Sequence, residues 1–198
     1  MGQKKNFFFS VHKMFCGSKT FLKNDGGALD DLLCLDMETM GWKKVEMEGL
    51  PSARRYHVLE RRPNTNKYVT YGGYDGDHDN PLSDLFEMDF DSSSCVQLLP
   101  RGDLPEGRLR HTLVAIGEKQ MLLLGGMNPH REFARQPYVL TLDDLKWHKV
   151  KDVGQFYPLT RGGHKMSRVS EYGWVVVGGY THQRIHSTYF MDSRAIEF

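Results

Sequence analysis

The chain has little of what most function classes require. Its 198 residues include three cysteines, Cys16, Cys34 and Cys95, with no C-x-x-C pair, so neither a disulfide framework nor a zinc ribbon is written into it. An odd, sparse set of thiols suits a reducing compartment. No charge dominates: Lys+Arg is 26 against Asp+Glu 25, a formal charge of +1. That speaks against a general nucleic-acid or membrane-surface binder, which needs a basic excess. No apolar run approaches the roughly 20 residues of a membrane-spanning helix. Phe7-Phe8-Phe9 breaks at Ser10 and His12, too soon even for the core of a signal peptide. Gly2 is followed by Asn6 where a myristoylation pattern wants Ser or Thr. The expectation is a soluble chain in the cytoplasm, with the nucleus left open.

Reaction signatures are lacking too. There is no G-x-S-x-G, no Walker loop and no dinucleotide fingerprint. No H-E-x-x-H or clustered Cys/His spacing marks a metal site. Asp75-x-Asp77-x-Asp79 begins like a calcium loop, but Asn80 stands at the glycine position and Phe86 at the closing glutamate, which leaves a solvated acidic loop. The reading is therefore of a chain that is not an enzyme and takes no cofactor. Helical periodicity is also missing throughout.

What is present is repetition. Glycine pairs stand at Gly72-Gly73, Gly125-Gly126 and Gly178-Gly179, a step of 53 residues each time (72 to 125 to 178). In phase with them runs Pro-x-x-Arg-x-x-His, as Pro51-Arg54-His57, Pro105-Arg108-His111 and Pro158-Arg161-His164. An apolar-Asp pair recurs at Leu35-Asp36, Met88-Asp89 and Leu142-Asp143, followed by Trp42, then Cys95 in the tryptophan slot, then Trp147. Several independent markers holding phase over three periods mean stacked structural repeats. Within a period, Thr112-Leu113-Val114-Ala115-Ile116 and Met121-Leu122-Leu123-Leu124 read as strands buried on both faces, and the strand starting at the tryptophan alternates and belongs at the rim.

The glycine pairs, the Arg-x-x-His sites and the tryptophans downstream of the aspartates resemble the kelch-repeat family over nearly the whole chain. The resemblance implies an all-β, kelch-type β-propeller of about four blades, each of four antiparallel strands, with repeats at 1–50, 51–104, 105–157 and 158–198. At the ends the pattern thins. Cys16-Gly17 replaces a glycine pair, and Met191-Asp192 is followed by Phe198 in the tryptophan slot, where the sequence stops. An open or incomplete ring is expected, with exposed strand edges that make the chain self-associate.

The repeated residues have structural explanations. A glycine pair ends a buried strand and leaves room for the neighbouring blade, since no helix follows to make a phosphate cradle. His57, His111 and His164 repeat with the blades and are expected to pack or hydrogen-bond within the fold. Arg54, Arg108 and Arg161 are expected to meet carboxylates or carbonyls between repeats.

Repetition leaves other residues unexplained. Arg55 and Arg110 are extra to the motif, and the loops after the glycine pairs differ: Tyr74-Asp75 in one, Met127 onward in the next, Tyr180-Thr181-His182 in the last. Variable loops on a rigid scaffold are where specificity resides. In the family it resembles, a tyrosine directly after the glycine pair lines the ligand face, and arginines at this strand entrance take acidic ligands. Arg55, Tyr74, Asp75, Arg110, Tyr180 and His182 are thus the candidate partner-binding residues. The resemblance implies a non-enzymatic protein–protein interaction module, a substrate-recognition or adaptor subunit, with a ubiquitin-ligase or cytoskeletal component as partner. The alternatives are a metal-dependent propeller enzyme, as in the copper oxidases and iron-dependent specifier proteins, and a degenerate fragment of a longer kelch protein.

Overall fold

A computed structural model describes residues 28–75, 80–151 and 160–198. The expectations placed on Met1–Gly17, the Asp77–Asp79 stretch and Pro158 lie outside the described residues. Among those described, the chain is built of strands, with a 3-10 turn at Ser193–Ala195. No described helix is long and apolar enough to cross a membrane.

The strands form four sheets in chain order. The first holds β1 (Leu33–Leu35) and β2 (Trp42–Lys44). The second holds β3 (Val58–Arg61), β4 (Lys67–Gly73), β5 (Leu82–Asp89) and β6 (Ser94–Leu98), paired in that order. The third runs β7-β11-β10-β9-β8, from β7 (Arg101–Gly102), β8 (Thr112–Ala115), β9 (Gln120–Leu124), β10 (Tyr138–Thr141) and β11 (Lys146–Lys149). The fourth holds β12 (Lys165–Arg168), β13 (Gly173–Val177) and β14 (Thr188–Asp192). Every pairing is antiparallel except β7 with β11. Sheets of this kind, in chain order, are the blades that the repeat predicted. β2, β6 and β11, which carry the tryptophan slot, lie beyond the buried middle strands, as their alternation requires.

Blades pack face to face. Val69, Tyr71 and Leu85 of the second sheet share one buried cluster with Leu113, Met121, Leu123, Leu140 and Trp147 of the third. The other face of the third sheet, Val114, Leu122, Leu124 and Val139, meets Met166, Trp174, Val176 and Met191 of the fourth. That is why β4 and β9 are apolar without alternation: both faces are seams. Each such side chain, fully buried, is worth about 1.5–3 kcal/mol. Cys95 fills its tryptophan slot as a buried thiol, and burial raises its pKa to about 11.

The glycine pairs set the seam spacing. Gly125 has φ +59°, and a Cβ there would lie 2.5 Å from the Arg161 carbonyl oxygen and 2.9 Å from His164 Cε1. The histidines therefore serve packing: His111 and His164 close against the glycines of the preceding blade. The arginines correct an expectation. Their side chains bond within their own blade: Arg54 to Asp84 at 2.6 Å and to the Gly72 carbonyl, Arg108 to the Gly125 carbonyl, Arg161 to the Gly178 carbonyl. What crosses the seam is the arginine's own carbonyl, which accepts from Gly73 N–H for Arg108 and from Gly126 N–H for Arg161. A flat guanidinium reaches the carbonyl of its own glycine pair, and other side chains cross the seam: the Tyr71 hydroxyl donates to the Pro105 and Glu106 carbonyls, and the Glu60 carboxylate accepts from Ala115 N–H.

A second cross-blade device was not foreseen. After each outer strand the chain pairs onto the outer strand of the next blade. Glu48 bridges Ser94 in parallel, β7 pairs β11, and Lys151 N–H donates to the Glu197 carbonyl at 2.7 Å. Phe190, on the outward face of the last described blade, is 72% exposed.

Candidate functional site

One backbone pattern, repeated in three blades, builds the site. The residue after each motif arginine exchanges two hydrogen bonds with the residue after the glycine pair: Arg55 with Tyr74, Leu109 with Met127, Gly162 with Tyr180. The next residue takes a left-handed conformation, with φ of 60° at Tyr56, 58° at Arg110 and +67° at Gly163. These three are linked from blade to blade: Arg110 N–H donates to the Tyr56 carbonyl at 2.9 Å and Gly163 N–H to the Arg110 carbonyl at 2.8 Å. The side chains at these positions are thereby placed side by side across three blades.

They form a row of alternating rings and guanidinium groups. The Arg55 guanidinium lies 5.2 Å from the Tyr74 ring centre and 5.5 Å from that of Tyr56. The Arg110 guanidinium lies 4.3 Å from the centre of the same Tyr56 ring and 5.4 Å from that of Tyr180. Its Nη1 also donates to the Tyr180 hydroxyl. Burial opposes the Arg110 charge, but hydrogen bonds to the Tyr56 and Tyr180 hydroxyls hold its pKa above the ordinary arginine value. Beyond Tyr180, the Phe133 ring sits edge-on at 5.4 Å, and His182 edge-on to Phe133 at 6.1 Å. The row ends in an open cleft of about 900 Å³ lined by Glu106, Arg131, Phe133, Arg135, Thr181 and His182.

Five of the six candidate residues thus stand in one row: Arg55, Tyr74, Arg110, Tyr180 and, through Phe133, His182. Asp75 follows Tyr74 in the chain, and its loop runs on outside the described residues. Tyr56 and Phe133 were missed. Gly163, at the phase of Tyr56 and Arg110, was the available signal: a glycine in register marks a left-handed position whose side chains elsewhere are costly and therefore notable. Phe133 left no signal in the repeat. Chemically, the row offers rings at fixed spacing and guanidinium donors held between them; each ring–guanidinium contact is worth about 0.5–2 kcal/mol. Among the described residues, no three His, Cys, Asp or Glu side chains are grouped to hold a metal ion.

The family model for the KLHDC2/KLHL20/DRC7 Kelch-repeats domain matches residues 12–197. The chain belongs to the kelch-repeat family. Kelch repeats generally serve as protein-interaction modules rather than enzymes. Among curated proteins, it is similar to acyl-CoA-binding domain-containing protein 5 of Arabidopsis thaliana, 30% identical over 156 residues, 77% of this chain and 23% of that protein. Acyl-CoA-binding domain-containing protein 4 of the same plant is 31% identical over 157 residues, again 77% of this chain and 23% of the relative. Kelch domain-containing protein 2 of Bos taurus is 26% identical over 121 residues, 61% of this chain and 29% of that protein. The kelch chain therefore spans about a quarter of the length of the curated relatives it matches.

Proposed function

We propose that this kelch chain is a non-enzymatic recognition module that binds an extended segment of a partner protein across the Tyr74–Arg55–Tyr56–Arg110–Tyr180 row. The observation that carries the reading is the row itself. Two arginines that the repeat does not require are stacked between tyrosines on three successive blades. Tyrosine and arginine are the residue types that anchor interfaces, because they bring large rigid area and directed donors. A row made of donors and π-faces suits a segment rich in carboxylates and carbonyls, and the adjoining cleft gives it a direction of exit. In this reading the module selects a target for a larger assembly, as a substrate-recognition or adaptor subunit does for a ubiquitin ligase or the cytoskeleton.

The test is capture from host lysate with the wild type and with Tyr74→Ala/Arg110→Ala, followed by identification of what is retained. The expected outcome is that specific partners of the wild type are lost from the double variant while its thermal melt still shows a cooperative fold. A folded double variant that retains every partner would exclude this surface.

A further inference from the structure

The buried strand β4 carries one polar side chain where its counterparts carry carbon. Thr70 stands two residues before Gly72, as Leu123 does before Gly125 and Val176 before Gly178. Leu123 and Val176 are fully buried, and each belongs to the cluster that closes its sheet against the preceding one. Thr70 is buried as deeply, at 1% exposure, yet its hydroxyl has no hydrogen-bond partner among the described residues. His57 Nδ1 is a second buried atom without one. Both residues line the same cavity, of about 30 Å³, and Asp31 and Leu32 line it from the segment that leads into β1. A buried hydroxyl or ring nitrogen that has lost its hydration is normally bonded to protein or to ordered water.

Size and chemistry both point to water. One molecule needs about 10–15 Å³ and two to four polar partners. The cavity has that room, and it offers the Thr70 hydroxyl, His57 Nδ1 and the Asp31 carboxylate, which can accept several hydrogen bonds at once. Asp30 and Ser52, both exposed, also line it and give water a route in. We propose that this cavity is a binding site for an ordered water that joins Thr70 and His57 to Asp31 across the seam between the first and second sheets. The water accepts from the Thr70 hydroxyl and donates to His57 Nδ1 and to Asp31. His57 is free to accept because it is neutral at pH 7, its pKa lowered to about 4 by burial and then by the Arg54 charge. That charge also disfavours a cation in the cavity. At this position the first seam is held by a bound water, where the next two are filled by Leu123 and Val176.

The sign of one substitution tests this. Thr70→Val keeps the shape of the side chain and removes the hydroxyl. With the water bound, valine takes away one of its partners, so the urea midpoint is expected to fall and the unfolding constant to rise on the order of fivefold. Without the water, valine removes an unbonded polar group and the midpoint rises, which overturns the proposal. Urea melts in sodium chloride and in choline chloride at equal ionic strength separate water from an alkali cation. Equal midpoints are expected, and a higher midpoint in sodium overturns the assignment to water. A crystal structure of the wild type is the direct readout and does not depend on how the variant folds. Density is expected within about 2.7–3.2 Å of both Thr70 Oγ1 and His57 Nδ1, and a cavity without it overturns the proposal.

Discussion

At the residue scale, the informative feature of the site is that Tyr56 and Arg110 hold left-handed backbone where the same position in the last blade is Gly163. A non-glycine residue in that region carries about 1–3 kcal/mol of strain. The fold does not need those side chains, since the carbonyl and N–H that link positions 56, 110 and 163 belong to the backbone. Arg110→Gly therefore separates recognition from stability. It relieves strain but loses the contacts with the Tyr56 and Tyr180 rings, about 0.5–2 kcal/mol each, and incurs glycine's larger entropy loss, so a net loss on the order of 1 kcal/mol is expected. Arg110→Ala keeps the strained backbone and should be the less stable of the two. Both should lose the captured partner. Urea melts of the three proteins beside the capture assay check this ordering, and an Arg110→Gly protein that binds normally would remove Arg110 from the recognition surface.

At the element scale, the strand that ends in a glycine pair is the unit on which seam spacing depends. Gly125→Val would put a branched side chain at φ +59° with its Cβ 2.5 Å from a backbone carbonyl, and that carbonyl is itself held by Gly126 N–H. Neither partner can move without opening the seam. A loss of about 3 kcal/mol or more, with a broadened melt, is the expected result by circular dichroism. These strands were legible in the residues because a run buried on both faces needs no alternation, only length and punctuation, as Met121–Leu124 before Gly125 shows. The two-residue β7 was not legible. Arg101 and Gly102 have no pattern, and their pairing with Lys146 and Trp147 follows from where the next blade's outer strand happens to lie. The same holds for Arg54, whose partner Asp84 stands 30 residues away within the blade rather than across the seam.

At the scale of the whole molecule, the buried His111 and His164 and the half-buried His57 tie the seams to pH. Burial, followed by the charge of the nearby motif arginine, lowers His57 to about 4, His111 to about 3 and His164 to about 4, from an ordinary 6.5. The folded values lie below the unfolded one, so the unfolded chain takes up protons first as pH falls. Stability should therefore be full above about pH 6.5 and decline from there until the folded values near 3–4 are passed. At the acid limit each histidine contributes a loss on the order of 3 kcal/mol. Glu60 acts in the opposite sense, because burial raises its carboxyl pKa, and its protonation favours the fold. The net expectation is a urea midpoint that drops between pH 7 and pH 5, with a shallower drop in His111→Gln. A flat profile over that range would mean that the histidines are solvated rather than locked in the seams.

The sequence by itself determined the repeat, its period, the four-strand plan of a blade and the packing of the glycine pairs, because these depend on local geometry stamped on each repeat. It also singled out Arg55 and Arg110, since a residue extra to a repeated motif stands out against it. What only the tertiary structure decided is which of the remaining residues meet. Tyr56 became part of the row because the left-handed turn before His57 aims it at Arg110 of the next blade. Phe133 entered it because its loop folds back to bridge Met127 and brings the ring beside Gly162, where an added Cβ would lie only 3.3 Å from it. Seam residues differ from end-face residues in the same way. Val139 and Phe190 occupy one position in the repeat, and what separates 0% from 72% exposure is the presence of a following blade, which no local pattern encodes.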